Sequence, residues 1–167
     1  MALSANGSLL ATSHRDGPVR LWNAKTRQLL HAFLGPSGSW VSSLAFSPTE
    51  PLLAAGDWGA GNIELYNTTT MKVVPLPMKA HTQRVMWLAF SPDGRTLASA
   101  GEGGGLKLWR VAMRQVALSL KERSAGIAFS RDGNFMVSCG AGDTLRLWPA
   151  ATLEEPNAPT KTKANNQ

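Results

Sequence analysis

The chain has 167 residues, 43% apolar and only 17% charged, with 16 glycines and 10 prolines. That length holds one ordinary domain with a real core, or part of a repeat assembly, and the glycine and proline content calls for many turns and few long helices. The formal charge of +6 favours acidic partners in general, and the single cysteine, Cys139, excludes an internal disulfide framework.

Four similar units follow one another along the chain. The first is the clipped ALSANGSLLATSH from Ala2, followed by VRLWN; the second is LAFSPTEPLLAAG from Leu44, followed by IELYN. The third is LAFSPDGRTLASAG from Leu88 with LKLWR, and the fourth is IAFSRDGNFMVSCG from Ile127 with LRLWP. Phe46, Phe90 and Phe129 recur at spacings of 44 and 39, and Trp22, Tyr66, Trp109 and Trp148 at 44, 43 and 39. Within a unit the apolar run stops at a turn such as Ser91-Pro92-Asp93-Gly94, because proline presets φ and glycine tolerates positive φ, and it resumes as a second strand at Thr96. A second glycine-rich turn leads to the LKLW strand, and a polar turn leads to a fourth strand such as Gln115 to Leu120. Each unit therefore predicts a four-stranded antiparallel sheet, with units at about residues 1–34, 41–78, 85–120 and 124–150. The FMVSCGAG run gives Cys139 the role of a buried small hydrophobe.

These residues resemble the WD40 repeat family, and the resemblance covers roughly residues 1 to 150. It implies an all-β fold, a segment of a β-propeller whose blades pack radially into a ring, most often of seven. It also implies a tetrad in each blade: a histidine before the first strand, a serine or threonine on the second, an aspartate in the turn after it, and the tryptophan of the third. The third unit carries His81, Ser99 and Trp109 but has Gly103 in the aspartate place. The first keeps Asp16 and Trp22, the second has Ser37 and Ala60 in the histidine and aspartate places, and the fourth has Leu120 and Gly142. With no complete tetrad, blade stability is expected to rest on strand ladders and apolar packing. Phe46, Phe90, Phe129, Trp22, Trp109 and Trp148 are expected to be buried at equivalent points, with Tyr66 in the second unit's tryptophan place.

The chain opens inside a first strand and ends with PAATLEEPNAPTKTKANNQ, which has too little apolar patterning for a packed fourth strand. The expectation is the C-terminal part of a larger propeller, an incomplete ring whose last blade lacks its own outer strand and whose tail, residues 151–167, is disordered. A four-bladed ring, or an oligomer completed through exposed blade edges, is the alternative, and an open arc is expected to self-associate.

No stretch reaches the roughly 18 consecutive apolar residues needed to cross a bilayer, and the start lacks the pattern of a signal peptide, so the default compartment is the cytoplasm with no membrane partner. His14, His31 and His81 stand beside no nucleophile elbow, HExxH or paired cysteine ligands, so catalytic, metal and cofactor sites are not expected. GEGGG joins two strands with no helix N-terminus following, which a phosphate cradle needs. The function that remains is a non-catalytic scaffold for protein–protein interaction. The resemblance places the loops before the first strands and after the second strands on one face, where Arg15, Trp40, Trp58, His81, Arg84, Glu102, Lys121 and Arg123 gather. Tryptophan and arginine dominate interface hot spots through contact area and forked hydrogen bonding. The partner expected there is a protein, acidic in character. The alternatives are an accessory propeller of a larger enzyme and a basic nucleic-acid-binding propeller, the second disfavoured because the cations form no run.

Overall fold

The structure is a computed structural model that describes residues 1–38, 40–75, 80–103, 105–121, 124, 126–140 and 144–150. Arg123, Gly142 and the stretch 151–167 lie outside the described residues. Four antiparallel sheets follow one another in chain order. The first holds β1 (Ala2–Leu3), β2 (Leu9–Ser13), β3 (Val19–Asn23) and β4 (Leu29–Phe33). In the second are β5 (Val41–Phe46), β6 (Leu52–Asp57), β7 (Ile63–Asn67) and β8 (Lys72–Val74). β9 (Val85–Phe90), β10 (Thr96–Gly101), β11 (Leu106–Arg110) and β12 (Gln115–Leu120) make the third. The fourth has three strands among the described residues, β13 (Gly126–Phe129), β14 (Phe135–Cys139) and β15 (Leu145–Pro149).

Each sheet is a meander because its turns are local and self-satisfied. In the third sheet Ser91 Oγ donates to Asp93 Oδ1 at 2.5 Å and accepts from the Thr96 amide at 3.0 Å, while Gly94 takes φ +71°. Ser130, Asp132 and Gly133 repeat this arrangement, and Ser4, Asn6 and Gly7 reproduce it with an asparagine. The serine hydroxyls hold the Asp93 and Asp132 carboxyls below the usual range. Turns of this kind return the chain onto itself without borrowing from a neighbour.

Packing between successive sheets supplies the core, in three layers. Ala11, Val19, Leu21 and Phe33 of the first sheet meet Val41, Leu44, Leu53 and Tyr66 of the second. Ala54, Ile63 and Leu65 face Val85, Leu88, Leu97 and Trp109 across the next gap. Ala98, Ala100, Leu106 and Leu108 meet Ile127 and Met136 across the third. Hydroxyl groups on β5 stitch the second sheet to the third: Ser42 Oγ donates to the Val85 carbonyl, and Ser43 Oγ accepts from the Leu88 amide at 3.0 Å. Among the described residues the four sheets do not close into a ring.

Several expectations need correction. Of the recurring aromatics only Tyr66 and Trp109 are fully buried; Phe46, Phe90 and Phe129 sit half-buried at the ends of the inner strands, on the borders of the core layers. Trp22 and Trp148 are also half-buried. Trp22 lies on the face of the first sheet that no other sheet covers among the described residues, and Trp148 belongs to the fourth sheet, three-stranded among them. Cys139 is half-buried too, for among the described residues no further sheet packs on the outward face of the fourth. Stability does not rest on ladders and apolar packing alone. The indole N–H donates to the hydroxyl on the adjacent strand in three sheets, Trp22 to Thr12, Trp109 to Ser99 and Trp148 to Ser138, each at 2.9 Å. In the second sheet Ala55 takes the hydroxyl's place, and Tyr66 instead stacks on Phe33 at 4.4 Å and donates to the Leu34 carbonyl at 3.0 Å.

Candidate functional site

The ends of the second strands and the starts of the first strands lie together because those strands pair antiparallel, Val41 with Asp57 and Val85 with Gly101. The residue before each first strand therefore meets the residue after each second strand. The Trp58 amide donates to the Trp40 carbonyl at 2.7 Å, and the Glu102 amide donates to the Arg84 carbonyl at 3.0 Å. Arg15, Trp58 and Glu102 thus occupy one position in three sheets, and Trp40 and Arg84 occupy its partner position in two.

Side chains continue this zigzag across the sheet boundaries. The Arg15 guanidinium lies 4.6 Å from the centre of the Trp40 ring, the Trp40 and Trp58 rings are 6.3 Å apart, and the Arg84 guanidinium lies 4.2 Å from the centre of Trp58. Arg84 closes the row on Glu102: Nη2 donates to Oε1 at 2.7 Å, and Nε lies 2.7 Å from Oε2. The second contact is ionic without being a hydrogen bond, since Nε–H is not aligned on the oxygen. Trp40 and Trp58 keep 38% and 45% of their surface open, enough for a partner to touch both indoles.

Between the first two sheets this row borders a cleft of about 360 Å³, lined by Ser13, His14, Arg15, Trp40, Val41, Ser42 and Trp58. Sequence reasoning passed over Ser13, Val41 and Ser42. The signal that could have found them is register: they are the last residue of one second strand and the opening residues of the next first strand.

The other residues singled out in the sequence lie apart from the row. Lys121 follows β12 and is exposed, and Arg123 is outside the described residues. His81 is buried, with Nε2 at 2.8 Å from Ser99 Oγ, which also accepts the Trp109 indole N–H. Burial, helped by the charge of Lys107, depresses the His81 pKa to about 4, so the ring is neutral and serves as a strut. Asp16 is exposed and paired with Arg20 at 2.5 Å. Asp57 was missed altogether: fully buried, it accepts the amides of Gly61 at 2.6 Å and Asn62 at 3.1 Å through Oδ1, three residues before the Ala60 of the expected tetrad. It fastens the turn that carries Trp58. Among the described residues no group of three or more histidine, cysteine, aspartate or glutamate side chains could hold a metal ion.

Comparison with known proteins decides the family. The profile described as WD domain, G-beta repeat matches residues 27–67, 73–110 and 124–149. The chain belongs to the WD40 family. Its repeat is offset from its sheets, since residues 27–67 hold the outer strand β4 of the first sheet and the three inner strands of the second. Among curated relatives, the WD40 chain is 38% identical over 107 residues to "Cell division cycle 20.6, cofactor of APC complex" of Arabidopsis thaliana, which covers 62% of this chain and 24% of the relative. It is 32% identical over 121 residues to "Target of rapamycin complex subunit wat1" of Schizosaccharomyces pombe, covering 70% of this chain and 36% of that protein. The chain thus spans about a quarter to a third of the length of these relatives. A chain in the crystal structure of the mitotic checkpoint complex superposes with a TM-score of 0.77 at 20% identity, over 90% of this chain and 47% of the other, and shows the propeller fold.

Proposed function

We propose that this WD40 chain is a non-catalytic scaffold that binds a protein partner on the loop face built by Arg15, Trp40, Trp58, Arg84 and Glu102. The single observation that carries the reading is the continuous Arg–Trp–Trp–Arg–Glu row, which joins three sheets through side chains that none of them needs for its own core. Rigid strands fix the spacing of the row, so a partner meets a surface that has little ordering entropy left to lose. Relatives named as a cofactor of the APC complex and as a subunit of the target of rapamycin complex support membership of an assembly in place of catalysis.

Partners captured by proximity labelling supply the test. Trp40→Ala should weaken binding by about 2 kcal/mol or more, because a half-exposed indole at the middle of an interface is the residue type that dominates affinity. Changes at Lys25 and Arg27, in the turn between β3 and β4 at the opposite end of the first sheet, should leave binding intact. Loss of binding with Lys25 and Arg27 variants, and retention with Trp40→Ala, would reject the face.

A further inference from the structure

We propose that the Arg15 guanidinium, stacked on Trp40, receives a carboxylate of an acidic peptide segment, as the Arg84 guanidinium, stacked on Trp58, already receives that of Glu102. This rests on the loop-face reading above. Both stacks span a sheet boundary, with arginine and tryptophan exchanging places between the loop after a second strand and the loop before the next first strand, and they differ in their third member. On Trp58, the Arg84 guanidinium stands 4.2 Å from the ring centre and grips the Glu102 carboxylate at 2.7 Å. On Trp40, the Arg15 guanidinium stands 4.6 Å from the ring centre, and no carboxylate among the described residues pairs with it. Its chain neighbour Asp16 is committed to Arg20.

A guanidinium held over an indole face is fixed without spending its N–H fork, which stays available to two oxygens in its own plane. The neighbouring cleft, walled by Val41 and Trp58, takes the apolar residue that flanks the acidic one. Peptide is favoured over nucleic acid because only one cation of the row is unpaired, whereas a phosphate backbone is held by successive cations. Glu102 is then an internal competitor: it occupies Arg84 and limits the row to one external carboxylate.

The experiment follows the indole N–H signals of Trp40 and Trp58 by NMR in the 167-residue chain, assigned with single Trp→Phe variants. The probes are a capped eight-residue peptide with two glutamates beside a leucine, the same peptide with both glutamates replaced by glutamine, and a short single-stranded oligonucleotide. Saturable shifts of the Trp40 signal with the acidic peptide alone are expected. Arg15→Gln should weaken that binding about tenfold, and Glu102→Gln should strengthen it a few-fold by freeing Arg84. Equal binding of the glutamine peptide would overturn the carboxylate assignment while leaving the loop face standing as a peptide site. Indifference to Arg15→Gln, preference for the oligonucleotide, or failure of either peptide to move the Trp40 signal would each overturn the inference, and the partner capture described above judges the face independently.

Discussion

Ser99 receives two buried partners on one oxygen, the Trp109 indole N–H and the His81 ring, and this junction is the nearest the chain comes to the family's tetrad. Removing the hydroxyl strands both groups away from water, so Ser99→Ala should cost on the order of 2 to 4 kcal/mol in urea unfolding. The matching Ser138→Ala should cost less, because Ser138 satisfies the half-buried Trp148 with no histidine joined to it. The same junction fixes a pH dependence. His81 titrates near 4 in the fold and near its ordinary 6.5 when unfolded, so the unfolded chain binds the extra proton between those values. The stability from neutral His81 is therefore complete above about pH 6.5 and drains as pH falls toward 4. Allowing for partial solvent access, the loss is on the order of 2 kcal/mol. A Ser99→Ala chain that unfolds at wild-type urea concentrations would show that the junction is incidental. Residue types at fixed offsets made His81, Ser99 and Trp109 legible in the sequence. Asp57 was not, since its value lies in two amides that come within reach only after the turn has formed.

The strands themselves were readable because the period-two apolar pattern and the serine–aspartate–glycine turns agree, and each turn closes through its own side chains. What patterning could not give was the conformation of the turns between third and fourth strands. Asn23 and Asn67 cap them by accepting two amides each, and they end on Arg27, Met71 and Arg114 with φ of 61°, 56° and 55°. None of these is glycine, so nothing in the sequence marks a left-handed position. Side chains bear a cost there that glycine does not. Arg114 is exposed and its side chain is dispensable to the core, so Arg114→Gly should raise stability by up to about 1 kcal/mol despite the added freedom of the unfolded chain. Thermal unfolding of the single variant beside Arg110→Gly, a control at the end of β11 that is paired on both sides and expected to destabilise, separates relief of the turn from a general effect of glycine. A fall in stability with Arg114→Gly would mean that contacts of the side chain outweigh the backbone cost.

At the scale of the whole molecule, the described residues form an arc whose two end sheets each present a face that the interior sheets bury. Every internal gap joins one kind of face, such as Ala98, Leu106 and Leu108 of the third sheet, to the other kind, such as Ile127 and Met136 of the fourth. Register transfers this to the ends. Leu145 and Leu147 hold in the fourth sheet the places of Leu106 and Leu108, and they are 75% and 61% exposed where the latter two are buried. Leu3 and Leu29, 60% and 50% exposed, lie on the opposite kind of face in the first sheet. The repeat made the sheets legible and an incomplete ring the expectation, but a pattern that describes one unit at a time does not say which side chains the uncovered faces expose. Two leucines, each worth roughly 1.5 to 3 kcal/mol on burial, give a strong drive to cover the fourth sheet. Because the free faces differ in kind, contact between copies would be head-to-tail, and such contacts run on into larger species unless the rotation closes. Sedimentation velocity of the 167-residue chain should therefore show species that grow with concentration, and Leu145→Lys with Leu147→Lys should shift them to monomer without changing the β-sheet circular dichroism. A wild-type chain that stays monomeric through the micromolar range would mean that these faces are covered from within.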